Sequence, residues 1–478
     1  MSKTRGGKRG VSLWVGVAFF WGVIAALGVV AALCPPAVNV AGLTVRLPQA
    51  SSVIGTAAGT LISVEDQLDA VENAMRLKAD SAARSAREAR ADSVARTEDI
   101  FRSSAGSLRF PKGDFSYLFP VFRAMRGGEA VSVFHYGDSQ IEGDRITHLV
   151  RDSLQALFGG KGPGVLPLWQ PIPSRTVSQS LSDSVATFYA AGMMGRRASH
   201  NRYGALAQMA ELRGQDVTLS VEGRGRGGYR QVTAFVGNVE DTLTMSIDTL
   251  VRMVPPSDGL RVVKWQLPSC SAFRLRLCGR ADVYGVDVSA GRGVSVTNVP
   301  MRGADGLFLG RADATLMAAM MRSLNTRLVL MEFGGNALPM LSDSAGVERY
   351  SAAIGQQIDK MKAICPAARI IFIGPADMSV KVDGELQTHP MLPYLTEALE
   401  AVCDTRGVAF WDMYDVMGGR NSMLAWVEHQ PPLAGTDYVH FTTRGANKIA
   451  EVLWRAIRMS YDYMLMVGRQ KADNQNND

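Results

Sequence analysis

The chain is poor in the residue types that most often bind metal ions. Of its 478 residues, only five are cysteines and six are histidines. No two cysteines have C-x-x-C spacing, which argues against a zinc site made of cysteines. His200, His389 and His429 also lack the spacing of metal ligands. We therefore expect neither a metal ion nor a cofactor.

A large excess of charge of one sign is also missing. The 51 basic and 45 acidic residues leave a net charge of +6, which is small for this length. We therefore expect no nucleic acid partner. With 47% hydrophobic residues the chain can form a large core, and its length predicts two or three structural units.

Cys270 and Cys278 flank SAFRLRL, a stretch that alternates as a β-strand does. On one straight strand the two residues would lie roughly 26 Å apart, which is beyond the reach of a disulfide bond. They could form a disulfide only if the chain turned between them.

The N-terminus carries a long hydrophobic run. Residues 11–33 contain no charged side chain and are numerous enough to cross a bilayer core of about 30 Å as a helix. Residues 1–10 are basic, so we predict a cytoplasmic tail, an inner-membrane anchor at 11–33 and the rest of the chain in the periplasm. A cleaved signal peptide and a lipoprotein site at Cys34 are the alternatives. A reporter fused after residue 34 that worked only in the cytoplasm would contradict this topology.

The next segments are polar. Residues 34–62 are rich in Pro, Ala, Gly, Ser and Thr and are typical of a linker. Residues 63–104 predict a polar helical stalk, in which Leu68 and Met75 belong to a heptad-like stripe that then fades. We interpret the stalk as a solvated spacer, with a weak coiled coil as the alternative. Residues 466–478 are expected to form a disordered tail.

Beyond the stalk, short apolar runs alternate with helical patterns. Buried-strand runs occur at 131–136, 327–333, 368–374 and 408–413. Helical spacing of apolar residues occurs at 143–157, 313–325, 347–363, 394–405 and 443–462. Such alternation predicts a parallel sheet covered by helices on both faces. The domain would consist of residues 105–174 and 281–465.

Residues 175–280 break this alternation. They contain short alternating stretches, such as 216–223, separated by turn residues. This pattern predicts an antiparallel β-sandwich inserted into the α/β domain. The GRGRGG stretch at 223–228 lacks the Lys-Ser/Thr of a phosphate-binding loop, so we interpret it as an ordinary loop.

A buried strand that ends in Gly-Asp-Ser-Gln presents Ser139 to its surroundings. Serine is a common helix N-cap, so a nucleophilic role requires a base and an orienting acid elsewhere. Near the C-terminus, Asp437 and His440 stand just before a terminal helix. In a loop, this spacing lets the carboxylate hold one imidazole nitrogen while the other faces a substrate.

Together these motifs resemble the SGNH (GDSL-type) hydrolase family. Four blocks occur in the family's order: GDSQ at 137–140, VPMRGADG at 299–306, MEFGGNALP at 331–339 and TDYVHFTTRGA at 436–446. The resemblance covers roughly residues 109–462 apart from the β insertion. It implies a flavodoxin-like parallel sheet in a three-layer α/β/α fold.

The resemblance also implies a role for each matched residue. Ser139 would be the nucleophile, His440 its base and Asp437 the acid that orients the imidazole. The backbone N–H groups of Ser139 and Gly303 and the side-chain amide of Asn336 would form the oxyanion hole. The third block usually reads G-x-N-D, and the residue after Asn336 is alanine instead of aspartate.

Other details resemble envelope proteins akin to peptidoglycan O-acetylesterases, in which a carbohydrate-binding-like β module interrupts the catalytic domain. The expected function is a serine esterase that removes O-acetyl groups from a cell-envelope polysaccharide, with peptidoglycan as the leading substrate. An O-acetyltransferase that uses the same triad beside a membrane acyltransferase partner is the alternative. A non-catalytic glycan-binding protein is the second alternative. The sequence does not separate the first two, because both form the same acyl-enzyme.

Four more residues near these motifs have simpler interpretations. His135 is expected to be a buried, hydrogen-bonded histidine, and Asp138 to hold its turn through bonds to the backbone. Arg145 is a first-turn helix charge that could also brace the nucleophile loop. Arg302 is expected to form a surface salt bridge, with contact to an anionic glycan as the alternative.

Overall fold

The computed structural model of this protein describes residues 37–40, 43–46, 68–76, 78, 90–193, 195–225 and 227–475. The chain divides into two units, Met1–Ser63 and Val64–Asp478. The basic tail at 1–10 and the anchor at 11–33 lie outside the described residues, so both remain predictions. In the part that is described, no helix combines the length and the hydrophobicity needed to span a bilayer.

In the first unit the structure describes a β-hairpin. Strand β1 (Ala37–Val40) pairs antiparallel with strand β2 (Leu43–Arg46). The prediction of a linker at 34–62 missed this hairpin, although valine, threonine and leucine in these stretches favour strands.

The second unit combines a parallel sheet, an antiparallel sheet and helices. Its strands are β3 (Ala130–Gly137), β4 (Gly164–Leu166), β5 (Val177–Leu181), β6 (Ala186–Tyr189), β7 (Gln208–Gly223), β8 (Tyr229–Gly237), β9 (Leu243–Ile247), β10 (Leu250–Val254), β11 (Arg261–Cys270), β12 (Ala272–Ser289), β13 (Gly293–Pro300), β14 (Thr326–Glu332), β15 (Arg369–Ile373), β16 (Ser379–Val382), β17 (Glu385–Thr388) and β18 (Ala409–Trp411). Its helices are α1 (Arg90–Ser103), α2 (Phe119–Arg126), α3 (Thr147–Phe158), α4 (Ala314–Ser323), α5 (Ser344–Ile364), α6 (Leu392–Arg406), α7 (Met413–Met417), α8 (Ser422–Glu428) and α9 (Thr443–Gln475).

The parallel sheet has the order β13-β3-β14-β15-β18. All of its pairs are parallel. Numbered along the chain, this order is 2-1-3-4-5, which is the flavodoxin-like order. The predicted parallel sheet is therefore confirmed. Strand β13 was not among the predicted runs, because Ser295, Thr297 and Asn298 interrupt its apolar residues.

Helices cover both faces of the parallel sheet. Along β3, Val131 and Val133 face a core formed with α2, α3 and α9. Phe134 and Tyr136 belong to the opposite core, which α4, α5 and α6 complete. Burying each such side chain contributes about 1.5–3 kcal/mol, so the strand is held from both sides.

The antiparallel strands β4 to β12 form one hydrogen-bonded sheet between the two halves of the parallel domain. The sheet encloses a core of its own, which includes Leu219, Val236 and Trp265. We predicted a sandwich over 175–280, but the strands begin at Gly164 and end at Ser289 and are joined in a single sheet.

Strand β12 explains this difference. Its first half pairs with β7 and β9, and its second half pairs with β8 and β4, so one strand links both parts of the sheet. The chain turns between Cys270 at the end of β11 and Cys278 in β12, and both thiols remain free.

The predicted stalk packs on the globular domain wherever the structure describes it. Residues 68–76 and helix α1 are helical, and Leu68 and Phe101 are buried in the core that contains α9. The Glu72 carboxylate lies 2.6 Å from the guanidinium of Arg455 in α9. A solvated spacer is therefore wrong for these residues, because their apolar face has a partner. Helix α9 also continues to Gln475, through most of the segment that we expected to be disordered.

Candidate active site

Three strands of the parallel sheet end at the same edge, and each is followed by one of the predicted site residues. Ser139 follows β3, Gly303 follows β13 and Asn336 follows β14. Because β3 lies between β13 and β14, the serine occupies the centre of this edge. The carboxyl ends of parallel strands are where open α/β sheets bind ligands.

Ser139, His440 and Asp437 form a chain of hydrogen bonds. The Ser139 Oγ lies 2.8 Å from His440 Nε2, and His440 Nδ1 lies 2.8 Å from Asp437 Oδ2. The histidine and the aspartate come from the loop before α9, far along the chain from the serine. The three residues predicted from their motifs are therefore brought together with the spacing of a nucleophile, a base and an orienting acid.

The surroundings of Asp437 determine the tautomer of His440. Partial burial raises the pKa of Asp437, but the backbone N–H of His440, its imidazole and the N–H of Val439 together bring it below its usual value. An ionised Asp437 only accepts hydrogen bonds, so His440 Nδ1 carries the proton. The lone pair of Nε2 then faces the Ser139 hydroxyl, as a general base requires.

Asp138 shapes the turn that carries Ser139. Its Oδ1 accepts a hydrogen bond of 2.9 Å from the backbone N–H of Gln140. This confirms the predicted role in holding the turn. Its Oδ2 accepts a second bond, of 2.8 Å, from the side-chain amide of Asn336. The aspartate therefore also fixes the end of β14 relative to Ser139.

The predicted oxyanion donors lie beside this turn. Asn336 Nδ2 donates to Asp138 and, at 3.1 Å, to the carbonyl oxygen of Ala304. Because an amide nitrogen has two hydrogens, an oxyanion would have to compete with one of these acceptors. Ala337, which stands where the family has aspartate, is buried in the apolar core that α4, α5 and α6 complete.

Gly303 has a backbone conformation that suits a donor loop. Its φ is +70°, in the left-handed region that favours glycine. The loop is anchored to the nucleophile strand, because the N–H of Met301 donates to the carbonyl of Gly137 at 2.8 Å.

Two side chains that follow Ser139 in the sequence, Gln140 and Arg145, hold the loop that carries His440. Gln140 Nε2 donates to the carbonyl of Val439 at 2.6 Å, and its Oε1 accepts from the N–H of Phe441 at 3.4 Å. Arg145 donates to the carbonyls of Glu142 and Phe441 at 3.1 and 3.3 Å. We missed Gln140 in the sequence, whereas bracing was one of the two roles considered for Arg145.

Arg302 connects the second block to the nucleophile turn. Its guanidinium forms two bonds to the Glu142 carboxylate, at 2.8 and 2.6 Å. Glu142 is buried, while Arg302 is partly exposed. The predicted salt bridge is therefore present, and it fixes Gly303's loop beside the turn that carries Ser139.

A buried polar network lies beneath the site. His135 is fully buried, with Nε2 3.0 Å from Glu332 and Nδ1 2.9 Å from the Thr147 hydroxyl. This confirms the expected buried, hydrogen-bonded histidine. The network links β3, which leads to Ser139, with β14 and α3.

A cleft of about 740 Å³, including solvent at its mouth, opens beside Ser139 on the β14 and β15 side. Its lining includes Asn336 and the buried side chains of Phe333, Met378 and Met413, which we call its floor. Across the described residues, no cluster of three or more His, Cys, Asp or Glu side chains is arranged to bind a metal ion.

Asp138 has an unusually high pKa for an aspartate. Burial raises its pKa to about 7, and the nearby charge of Glu332 acts in the same direction. The pKa in the unfolded chain is 3.8, so the folded state holds the proton more tightly. Stability from this proton is fully present below about pH 4 and is lost as the pH rises to about 7.

We therefore expect Asp138→Asn to flatten the pH dependence of unfolding. In the unaltered protein this group should lower the free energy of unfolding by up to about 4 kcal/mol between those pH values. Denaturant unfolding at several pH values measures the difference, and Asp183→Asn, an exposed surface change, is the matched control. An unchanged pH dependence in Asp138→Asn would show that Asp138 has an ordinary pKa.

Residues 261–448 match the model of the GDSL-like Lipase/Acylhydrolase family. The matched range contains Gly303, Asn336, Asp437 and His440, and Ser139 precedes it. Over these residues the chain resembles the GDSL-like acylhydrolases. Enzymes of this class cleave acyl esters, and the chain is accordingly an SGNH-type esterase.

One of the two solved structures compared below shares the fold of this chain. A structure described as a peptidoglycan O-acetylesterase in action aligns with a TM-score of 0.60 and 20% identity, over 73% of this chain and 98% of that chain. A family two carbohydrate esterase from Cellvibrio japonicus aligns with a TM-score of 0.25 and 12% identity, over 60% of this chain and 99% of that chain. The first likeness shows the fold, and the second is too distant to support a conclusion. No curated protein matched the chain.

Proposed function

We propose that this acylhydrolase removes O-acetyl groups from a cell-envelope polysaccharide, with peptidoglycan as the leading substrate. The hydrogen-bonded chain of Asp437, His440 and Ser139 is the observation that carries this proposal. It supplies a nucleophile, a base of defined tautomer and a carboxylate that stabilises the imidazolium.

In the first half-reaction, Ser139 Oγ attacks the carbonyl carbon of the acetyl ester while its proton passes to His440 Nε2. The carbonyl oxygen becomes an oxyanion. The imidazolium then gives the proton to the sugar oxygen, the C–O bond to the sugar breaks, and the acetyl group remains on Ser139 as an ester.

The oxyanion would be met by the backbone N–H groups of Ser139 and Gly303 and by the amide of Asn336. For Asn336 this requires one N–H to turn from Asp138 or Ala304 towards the substrate. Because such donors act in a site with little water, losing one typically lowers the rate by about 10²–10³-fold.

In the second half-reaction, a water molecule replaces the sugar. His440 takes a proton from the water, the hydroxide attacks the acetyl-serine, and acetate leaves as the proton returns to Ser139. If a sugar hydroxyl took the place of water, the same residues would perform an acetyl transfer. No contact among the described residues of the site favours that second acceptor over water, so hydrolysis is the proposal.

The choice of an acetylated polysaccharide rests on analogy of fold and on the shape of the site. The structure with the highest TM-score reported above is named as a peptidoglycan O-acetylesterase. The cleft beside Ser139 has a floor of buried residues. Such a cleft suits the acetyl group, because that group is the short end of the ester. The polymer continues in both directions and needs an open surface instead.

The second unit, Val64–Asp478, is the protein with which to test the proposal. We expect it to release acetate from O-acetylated peptidoglycan, and we expect a soluble glycan acceptor to leave that rate unchanged. Acetyl groups appearing on the added glycan would show a transferase instead. Turnover of p-nitrophenyl acetate without any release from acetylated polysaccharides would show an esterase with another natural substrate.

A further inference from the structure

The two sides of the nucleophile differ in shape. The cleft with the buried floor lies towards β14 and β15, whereas Gly303 lies on the β13 side. The acyl and alcohol parts of an ester extend away from the carbonyl carbon in different directions. With the acyl group in the cleft, the saccharide would extend over Gly303, towards the inserted antiparallel sheet.

The segment between β6 and β7 of the inserted sheet supplies a side chain at this point. The N–H of Met193 donates to the carbonyl of Arg302 at 2.8 Å. A Cβ at position 303 would lie 2.5 Å from Met193 Cγ and Sδ, so the thioether covers the glycine directly. Met193 is nevertheless 81% exposed. A flexible apolar side chain thus lies over Gly303, a proposed oxyanion donor.

From Arg302, whose carbonyl accepts the bond from Met193, a surface follows the junction of the two sheets. Arg302 lines a cavity of about 830 Å³, open solvent included, whose lining also contains Gln170. Gln170 in turn lines a neighbouring groove of about 950 Å³, measured in the same way, together with Trp169 and Gln179. Gln170, which lines both spaces, therefore connects Arg302 to Trp169.

Trp169 is presented outward at the far end. Its side chain is 44% exposed, whereas Trp265, Trp411 and Trp426 are fully buried. Gln179 donates from its amide nitrogen to the carbonyls of Pro167 and Leu168, which fixes the segment that bears the indole. The Oε1 of Gln179 is buried and has no hydrogen-bond partner among the described residues. The exposed indole, rather than this buried oxygen, is therefore the group that a ligand can reach.

We propose that Met193, Arg302, Gln170 and Trp169 form a saccharide-binding surface, which we call the junction groove. This proposal rests on the proposed function. Met193 contacts the sugar that carries the acetyl group, and Trp169 contacts a sugar further along the same polymer. The groove selects polymeric over small acyl esters, with one wall supplied by each sheet.

The chemistry of the groove fits a saccharide. Sugars present C–H faces that pack on an indole or a thioether, and hydroxyl groups that bond to amides. The Glu142 carboxylate already pairs with the Arg302 guanidinium, so the groove has little free charge near the nucleophile. A neutral, hydroxyl-rich ligand suits these surroundings better than a strongly charged one.

The test compares two substrates in each variant. For Met193→Ala and Trp169→Ala, we measure kcat/KM on O-acetylated glycan strands and on p-nitrophenyl acetate. We expect the ratio of the two values to fall about tenfold in each variant. The Met193 effect should appear with every saccharide ester, whereas the Trp169 effect should appear only above a minimum strand length.

Tyr394→Ala is the matched control, because Tyr394 is a 58% exposed aromatic residue on α6, outside the groove. Met193→Leu and Trp169→Phe should restore most of the ratio. Each ratio is taken within one preparation, so partial misfolding does not change it. An unaltered ratio in both alanine variants, or an equal fall in Tyr394→Ala, would overturn the junction groove. Failure of the unaltered protein to release acetate from glycan strands would overturn the proposed substrate instead.

Discussion

Ser139→Ala is expected to lower kcat for acyl-ester hydrolysis by about 10⁴-fold or more. The variant keeps the backbone N–H groups and the cleft but has no oxygen to form the acyl-enzyme. The rate of p-nitrophenyl acetate hydrolysis measures the loss. Ser323→Ala, an exposed serine on α4, is the matched control and should leave kcat unchanged.

Ser139→Ala should fold like the unaltered protein, because the hydroxyl that it removes bonds only to His440 among the contacts above. Thermal unfolding of both proteins checks this point. A folded Ser139→Ala protein that kept most of its kcat would show that another group is the nucleophile.

Asp437→Asn is expected to lower kcat by about 10³–10⁴-fold. An asparagine can direct its NH₂ group at His440 Nδ1, which then carries no proton. The proton would move to Nε2, and Nε2 could no longer accept the proton of Ser139. The loss should appear in kcat more than in KM, because Asp437 does not contact the substrate in the proposed mechanism.

A double variant tests whether Asp437 acts through Ser139. If Ser139 and Asp437 act as one unit, Ser139→Ala combined with Asp437→Asn should be no slower than Ser139→Ala alone. Asp241→Asn, in an exposed loop, is the control for the charge change. If the fold-loss of kcat in the double variant equalled the product of the two single losses, the two residues would not share a mechanism. A kcat in Asp437→Asn close to that of the unaltered protein would also contradict it.

The sequence predicted the parallel sheet well because its strands are buried on both faces. Continuous apolar runs such as 327–333 and 368–374 are the signature of such strands, and both became strands of the sheet. Strand β13 was not predicted, because serine, threonine and asparagine interrupt its apolar residues. The predicted end of the insertion at residue 280 was also misplaced. Strand β12 continues through that position to Ser289 without a break.

A local sequence pattern could not predict how the stalk packs against the rest of the chain. The spacing of Leu68 and Met75 predicted an apolar face, but spacing alone does not say what covers it. The structure shows that α9 does so, helped by the ion pairs of Glu72. Both partners of Glu72 lie at the other end of the chain.

For the candidate site, the order of the motifs identified the side chains that are proposed to take part in the reaction. Ser139, His440 and Asp437 were named from their blocks, and the structure brings them within hydrogen-bond distance of one another. The supporting contacts were harder to foresee. Gln140 acts on the loop of His440 only after folding, and no local pattern reveals that Asn336 donates to Asp138.

The most direct test of the account is to find the acetyl group on the enzyme. The protein is mixed with an acetyl ester, quenched in acid within the first turnover, digested and analysed by mass spectrometry. The account predicts one acetyl group on the peptide that contains Ser139, and none in the Ser139→Ala variant. An acetyl group on a different residue, or turnover without any acetylated peptide under conditions where acetylation outpaces hydrolysis, would contradict it.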